Sequence, residues 1–292
     1  MILDTVSDVV SVVRAGVLAR EFCRRSTRAE VAAVFERSIY LRSADMFICL
    51  GEPSIGNGPL TLVADFSPSR LHRGQPASIS ERGITIGDAA RFSFDRCEPW
   101  QQPPWPHSLS PLQLVDVGQG IAGRMAVEGP VEGLGGLETP LARVARPRIT
   151  RFESWLRHVL ETDRVSSEPV QDLIGLGPGL TPSGDDFLVG ALALLDALSE
   201  TKAHAALAGA IIASPRELTS PLSGCLLRAA AAGHIGENLH RAIAALISGN
   251  VDAAVAAIRN IGHSSGWDML AGAATALQVV ATVRSPGSRH RP

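Results

Sequence analysis

Two stretches of the chain carry the same short pattern of small, hydroxylated and acidic residues. Ser183-Gly-Asp-Asp-Phe-Leu-Val-Gly-Ala aligns without a gap with Ser265-Gly-Trp-Asp-Met-Leu-Ala-Gly-Ala, an offset of 82 positions from 183 to 265. The shared pattern, S-G-x-D-x-L-x-G-A, reads as a helix start. Ser is a good N-cap, and an acid at the third helical position turns it into a capping box with Asp in place of Glu. Asp186 and Asp268 occupy that position, whereas Asp185 has no capping partner by spacing. Three carboxylates at two helix starts are hard oxygen ligands, so Asp185, Asp186 and Asp268 are the candidates for a magnesium ion. With His263, a donor or base beside the second start, they are also the candidates for catalytic work.

The approach to the first start is the richer of the two. Gly175-Leu-Gly-Pro-Gly-Leu-Thr-Pro-Ser-Gly crowds glycine, proline and hydroxyl residues in front of one helix. Such a loop can turn several N–H groups toward an anion at the positive end of the helix dipole. No Lys follows the glycines, so it is not a P-loop. A second hydroxylated start is Gly262-His-Ser-Ser-Gly, and a third is Arg216-Glu-Leu-Thr-Ser-Pro. The expected anion-binding set is therefore Gly177, Gly179, Thr181, Ser183 and Gly184 from the first, Ser264, Ser265 and Gly266 from the second, and Arg216, Thr219 and Ser220 from the third. Carboxylates beside an anion repel it unless a cation intervenes, and a metal ion, Arg216 or Arg228 could supply that charge. Ser183 and Ser265 have no His/Asp order that argues for a nucleophilic triad. The sharpest expectation is that both repeat starts face one cleft, with Thr181, Thr219 and His263 at its rim.

The elements that must hold these residues differ between the two halves. From Ala29 to Asp95 short apolar and β-branched runs (30–41, 46–50, 60–64, 84–86 and 91–95) alternate with turn formers, the pattern of a small antiparallel sheet or barrel. Residues 6–22 before them read as a helix. Five prolines between Glu98 and Pro111 make an irregular crossover. A helix is expected over 111–125, a Gly/Pro-rich loop over 128–140, and no strand after Thr150. The C-terminal half reads as helix after helix: Ser220-Pro221 and Asn250 are N-terminal signals, and Gly249 and Gly262 sit where C-terminal glycines belong. The expected fold is α+β: a β-rich domain over 1–148 with a leading helix, a helical domain over 149–284 and a flexible tail over 285–292.

Composition bounds the function. The chain has 292 residues, 45% hydrophobic and 19% charged, with a formal net charge of −2. That excludes a disordered chain and marks no nucleic-acid binder. One Lys, Lys202, stands among 27 cationic residues. Cys23, Cys49, Cys97 and Cys225 are scattered without zinc-ligand spacing and read as reduced cytosolic thiols. The longest apolar run, Phe187 to Leu195, is too short for a membrane span. A soluble, cytoplasmic protein is expected.

The twelve residues from Gly175 to Asp186, with Gly262-His-Ser-Ser-Gly-Trp-Asp and the Thr219-Ser220 region, resemble a bacterial family. More loosely, so do Val31 to Leu41 and Gly56-Asn-Gly-Pro-Leu. Its best-placed member is the smallest of three subunits in the oxamate carbamoyltransferase of anaerobic allantoin breakdown. The resemblance implies two larger partner subunits and a carbamoyl group exchanged between carbamoyl phosphate and oxamate, with oxalurate on the other side of the equilibrium. The ligand would then be carbamoyl phosphate or a small carboxylate. The other reading of the same residues is a non-catalytic assembly or regulatory subunit whose glycine-rich loops serve packing and partner docking.

Overall fold

The computed structural model describes residues 9–25, 27–135, 139–162 and 167–285. The chain divides into two compact units, Met1–Pro103 and Pro104–Pro292.

Nine strands build the first unit: β1 Val9–Gly16, β2 Thr27–Val34, β3 Ser38–Ser43, β4 Met46–Gly51, β5 Thr61–Ala64, β6 Pro76–Ser80, β7 Gly83–Ile86, β8 Ala90–Ser93 and β9 Glu98–Trp100. Their order is β5-β4-β3-β2-β6-β7-β8-β1-β9, and an additional β5–β1 pairing closes the first eight into a barrel. Closure removes the exposed edges that an open sheet of this size would present. Alternate residues point inward, so Ile39, Leu41, Ile48, Leu50, Leu62, Ile79, Ile84 and Ile86 fill the interior.

The run 30–41 is a hairpin of two strands. The expected helix over 6–22 is corrected in its described part: Val9–Gly16 is β1, and only Val17–Cys23 is helical (α1). Residues 6–8 lie outside the described residues. β1 pairs with β5, β8 and β9. Its valines are β-branched, and these three strands lack a common neighbour without it, so tertiary pairing overrides local helical spacing. At its end Gly16 permits a close approach, since a Cβ there would lie 1.9 Å from the Gly58 carbonyl oxygen.

The second unit is helical: α2 Pro111–Glu128, α3 Pro140–Glu161, α4 Glu168–Gln171, α5 Ser183–Ala197, α6 Thr201–Ala213, α7 Pro221–Ala231, α8 Glu237–Ile247, α9 Val251–Ile258 and α10 Ser265–Arg284. Among the described residues no strand follows Thr150. The unit begins before the expected boundary at 148, because α2 and α3 contribute Leu114, Ile121, Phe152 and Leu156 to its core. Even the end of the crossover belongs here. Trp105 stacks on His240 at 4.2 Å and donates its Nε1–H to Asp196 Oδ2 at 2.7 Å, and the Leu109 N–H donates to the Ile247 carbonyl. The expected tail lies, beyond Ser285, outside the described residues.

α5 runs through the middle of this unit. Every residue from Ser183 to Leu195 is buried, with α6, α7, α8 and α10 packed around it. A helix apolar on all sides has to be central. Among the described residues no helix is long and apolar enough to cross a membrane.

Candidate functional site

The helix starts obey their local signals unevenly. Ser220 caps α7 by accepting from the Ser223 N–H at 3.0 Å, and Asn250 caps α9 through the Ala253 N–H at 2.9 Å. Gly249 and Gly262 adopt φ of 85° and 53°, as C-terminal glycines do. At the two repeat starts the capping-box expectation is corrected. Pro182 and Ser264 are the N-cap residues, neither with a side-chain cap bond, and Ser183 and Ser265 are already inside the helices.

Those serines are used across the repeat. The Ser183 hydroxyl bonds to Asp268 on α10, and the Ser265 hydroxyl bonds to Asp186 on α5. The glycines explain how two helices come so close. A Cβ on Gly190 would sit 1.8 Å from the Met269 carbonyl oxygen, and a Cβ on Gly272 would sit 1.8 Å from that of Phe187. These are equivalent positions of the repeat, each glycine against the fifth residue of the other copy. Gly184 and Gly266 repeat the correspondence, lying against the carbonyls of Leu173 and Ile258. α5 and α10 therefore cross about a local two-fold axis with their N-termini together.

Three carboxylates occupy this crossing. Asp185, which lacks a local capping partner, is the most fully bonded of them. Its Oδ1 accepts from the Gly175 N–H at 2.8 Å, and its Oδ2 accepts from Ser223 Oγ at 2.6 Å and from Thr219 Oγ1. Part of the donor set expected for an external anion is thus filled by the chain's own carboxylate. Burial nevertheless raises its pKa, and the bonds from Ser223, Thr219 and Gly175 only partly oppose this. Asp186 and Asp268 are 3% and 1% exposed. Burial pushes Asp186 well above the usual carboxylate range, and the neighbouring charges of Asp268 and Asp185 add to it. Burial raises Asp268 to about 6 against the N–H groups of Leu134 and Gly135 and the hydroxyls of Ser183 and Ser264.

The remaining expected residues sit around these acids. Thr181 Oγ1 lies 3.3 Å from Ser265 Oγ and also bonds to Asp186. Ser220 Oγ donates to the Leu180 carbonyl, tying the glycine-rich loop to the start of α7. Gly177 has φ of 111° and packs against the Ser183 nitrogen, while Gly179, at φ of 98°, faces open space. Arg216 is exposed on a 3-10 turn before Thr219. His263 is outside the cluster, exposed and 3.9 Å from Glu132. The guanidinium of Arg228 lies over Gly224, beside Thr219.

The helix starts meet in a packed crossing with buried acids, with half-buried Thr181, Ser264 and Ser265 beside them. Among the described residues no three His, Cys, Asp or Glu side chains are arranged to hold a metal ion, and both oxygens of Asp185 accept from donors of the chain. Ser223, the third hydroxyl of the helix start after Arg216, bonds to Asp185. One feature of the cluster was outside the expected set: the 131–135 segment lays the Leu134 N–H on Asp268 Oδ1 and packs Gly135 against Trp267. The glycines at 129, 133 and 135 were the signal for that segment, since they allow a backbone to lie close against a helix start.

The model of the AllH family N-terminal domain matches residues 9–99, and that of the oxamate carbamoyltransferase subunit AllH matches residues 173–277. The chain belongs to the AllH family. The first match coincides with the barrel. The second spans both repeat copies, the glycine-rich loop and α7, so the crossing of α5 and α10 lies inside the AllH match. The Leu134 and Gly135 donors lie outside both matches. AllH is described as a subunit, which implies partner subunits. No solved structure matches the chain.

Proposed function

We propose that this AllH-family chain serves as one subunit of an oxamate-type carbamoyltransferase and holds a small anion of the carbamoyl phosphate, oxamate or oxalurate class at the loop before α5. The observation that carries the reading is a run of donors without acceptors. Among the described residues the N–H groups of Gly177, Gly179, Leu180, Thr181 and Ser183 make no hydrogen bond within the chain. Positive φ at Gly175, Gly177 and Gly179 gives the backbone the alternating turns of an anion nest, at the N-terminus of a 15-residue helix. Pro178, Gly179 and Leu180 are exposed, so an anion can reach them. Arg228, beside the hydroxyls that hold Asp185, offsets part of the local negative charge.

The test is calorimetric titration of carbamoyl phosphate, oxamate and oxalurate into the chain, followed by turnover in a complex reconstituted with its partner subunits. Gly179→Asp places a charge among the donors, and Gly179→Asn places the same shape without it. Asp should weaken anion binding at least tenfold, about 1.4 kcal/mol, while Asn stays near wild type. Equal effects of the two substitutions, or a reconstituted complex indifferent to this chain, would overturn the reading. A second reading, assembly without ligand binding, is favoured by one observation: the Gly175 donor and two hydroxyls already serve Asp185. It predicts that no anion binds and that Gly179 variants impair partner association instead.

A further inference from the structure

A groove of about 320 Å³ runs between α2, α3 and α10. Val115 and Val279 supply its apolar part, and Gln119 of α2, Gln278 of α10 and Glu153 and Arg157 of α3 supply its polar part. That volume is at the lower end of small-molecule sites and takes a ligand of amino-acid size. Gln278 lies roughly 20 Å along α10 from Ser265. The groove is therefore at the other end of α10 from the buried acids.

Its two charged residues are in an unusual relation. Glu153 and Arg157 stand one turn apart on α3 with the acid first, the favourable order for an ion pair along a helix. Pairs at this spacing elsewhere in the chain do bond: Glu21 with Arg25, Arg124 with Glu128 and Glu237 with Arg241. Arg157 has a second glutamate, Glu161, one turn after it, yet among the described residues it bonds neither and lines the groove instead. Glu153 is half-buried there. Burial raises its pKa, and the charge of Arg157 only partly offsets this. A carboxylate drawn partly out of water, with a cation at hand that does not bond it, is a cost left unrecovered within the chain. The side-chain amides of Gln119 and Gln278 also make no hydrogen bond among the described residues. The stem of Gln278 runs close to α2, since a Cβ on Gly118 would lie 3.7 Å from its Cγ.

We infer that this groove binds a small molecule carrying a carboxylate beside an N–H-donating group, whether ammonium, amide or ureido. Arg157 presents a planar fork of donors that matches a carboxylate. Glu153 accepts from the N–H group of the ligand. Gln119 and Gln278 both donate and accept, so they serve either end. Val115 and Val279 cover the short carbon skeleton between the two ends. Such a ligand compensates both side-chain charges without drawing them together, which a simple carboxylate or a simple amine does not do. The inference stands whichever ligand, if any, the glycine-rich loop takes.

Titration calorimetry of the full chain with L-alanine, oxamate and oxalurate tests it, because these carry the three donor groups. Acetate is the carboxylate-only control. At least one of the three should bind saturably, with acetate weaker by about tenfold or more. Arg157→Gln and Glu153→Gln should each weaken that binding by about tenfold or more, with cooperative melting retained. Gln119→Trp, at an exposed position of α2, leaves both charges in place and fills the groove, so it should abolish the binding. Gly179→Asp should leave it unchanged. Binding by none of the three overturns the inference, and so does acetate bound as tightly as the best of them. Binding that survives Gln119→Trp, or that neither α3 substitution weakens, overturns it as well. A ligand lost in Gly179→Asp but kept in Arg157→Gln belongs to the glycine-rich loop, which would support the anion reading while overturning this one.

Discussion

Replacing Gly190 with alanine probes the crossing on which the candidate site is built. In an exposed helix the substitution gains about 1 kcal/mol, because alanine is the better helix former. At Gly190 the new methyl would sit 1.8 Å from the Met269 carbonyl oxygen and 2.6 Å from its carbonyl carbon. No side-chain rotation relieves a contact with backbone, so α5 and α10 must separate. Overpacking of this kind costs about 1–3 kcal/mol, and the backbone clash puts it at the upper end. The net expectation is a loss of about 2 kcal/mol, which lowers the melting temperature by about 4–8 °C in a unit of this size. Gly272→Ala meets the Phe187 carbonyl at the same distance and should cost the same. One separation relieves both clashes while each alanine brings its own helix-forming gain, so the double variant should lose about 1 kcal/mol rather than the additive 4. Gly209→Ala is the control: it lies exposed on α6 with nothing within 4 Å, and should gain about 0.5–1 kcal/mol. Urea melts followed by circular dichroism measure all four. A Gly190→Ala protein as stable as Gly209→Ala would refute the close crossing and, with it, the shared position of the acids.

Two further substitutions test the donors around the acids. Asp185→Ala strands the Gly175 N–H and the hydroxyls of Thr219 and Ser223, and should cost about 3 kcal/mol at the rate of unpaired buried groups; a loss below 1 kcal/mol in the same melts would mean that these donors find other partners. Ser220→Ala removes the cap of α7 and the bond to Leu180, and should cost about 1 kcal/mol. Amide hydrogen exchange should also speed up at residues 179–181, and protection there equal to the wild type would show that Ser220 does not restrain the loop.

Much of this protein is decided within a few residues of sequence. The capping serine and proline at 220 and 221, Asn250, the glycines at 249 and 262 and the apolar run from Phe187 to Leu195 all act through neighbours on the same or the next turn. Each takes the place its pattern predicts. The repeat at 183 and 265 likewise marks two helix starts, and the alternation of short apolar runs marks a small sheet or barrel, which the β5–β1 pairing decides in favour of the barrel. What lies far apart in the chain was decided elsewhere. β1 is a strand because the barrel needs it between β5 and β8, whatever its local spacing favours. Asp185, without a partner by spacing, is bonded by a hydroxyl 34 residues away, and Asp268 by an N–H 134 residues away. Ser183 and Ser265 leave their own helices uncapped because the crossing offers each a buried carboxylate on the other helix. A hydroxyl bonded to a buried acid relieves an unpaired charge, whereas an unmet N–H at a helix start can still turn to solvent. That difference in cost, set only once α5 and α10 are packed together, decides where each side chain goes.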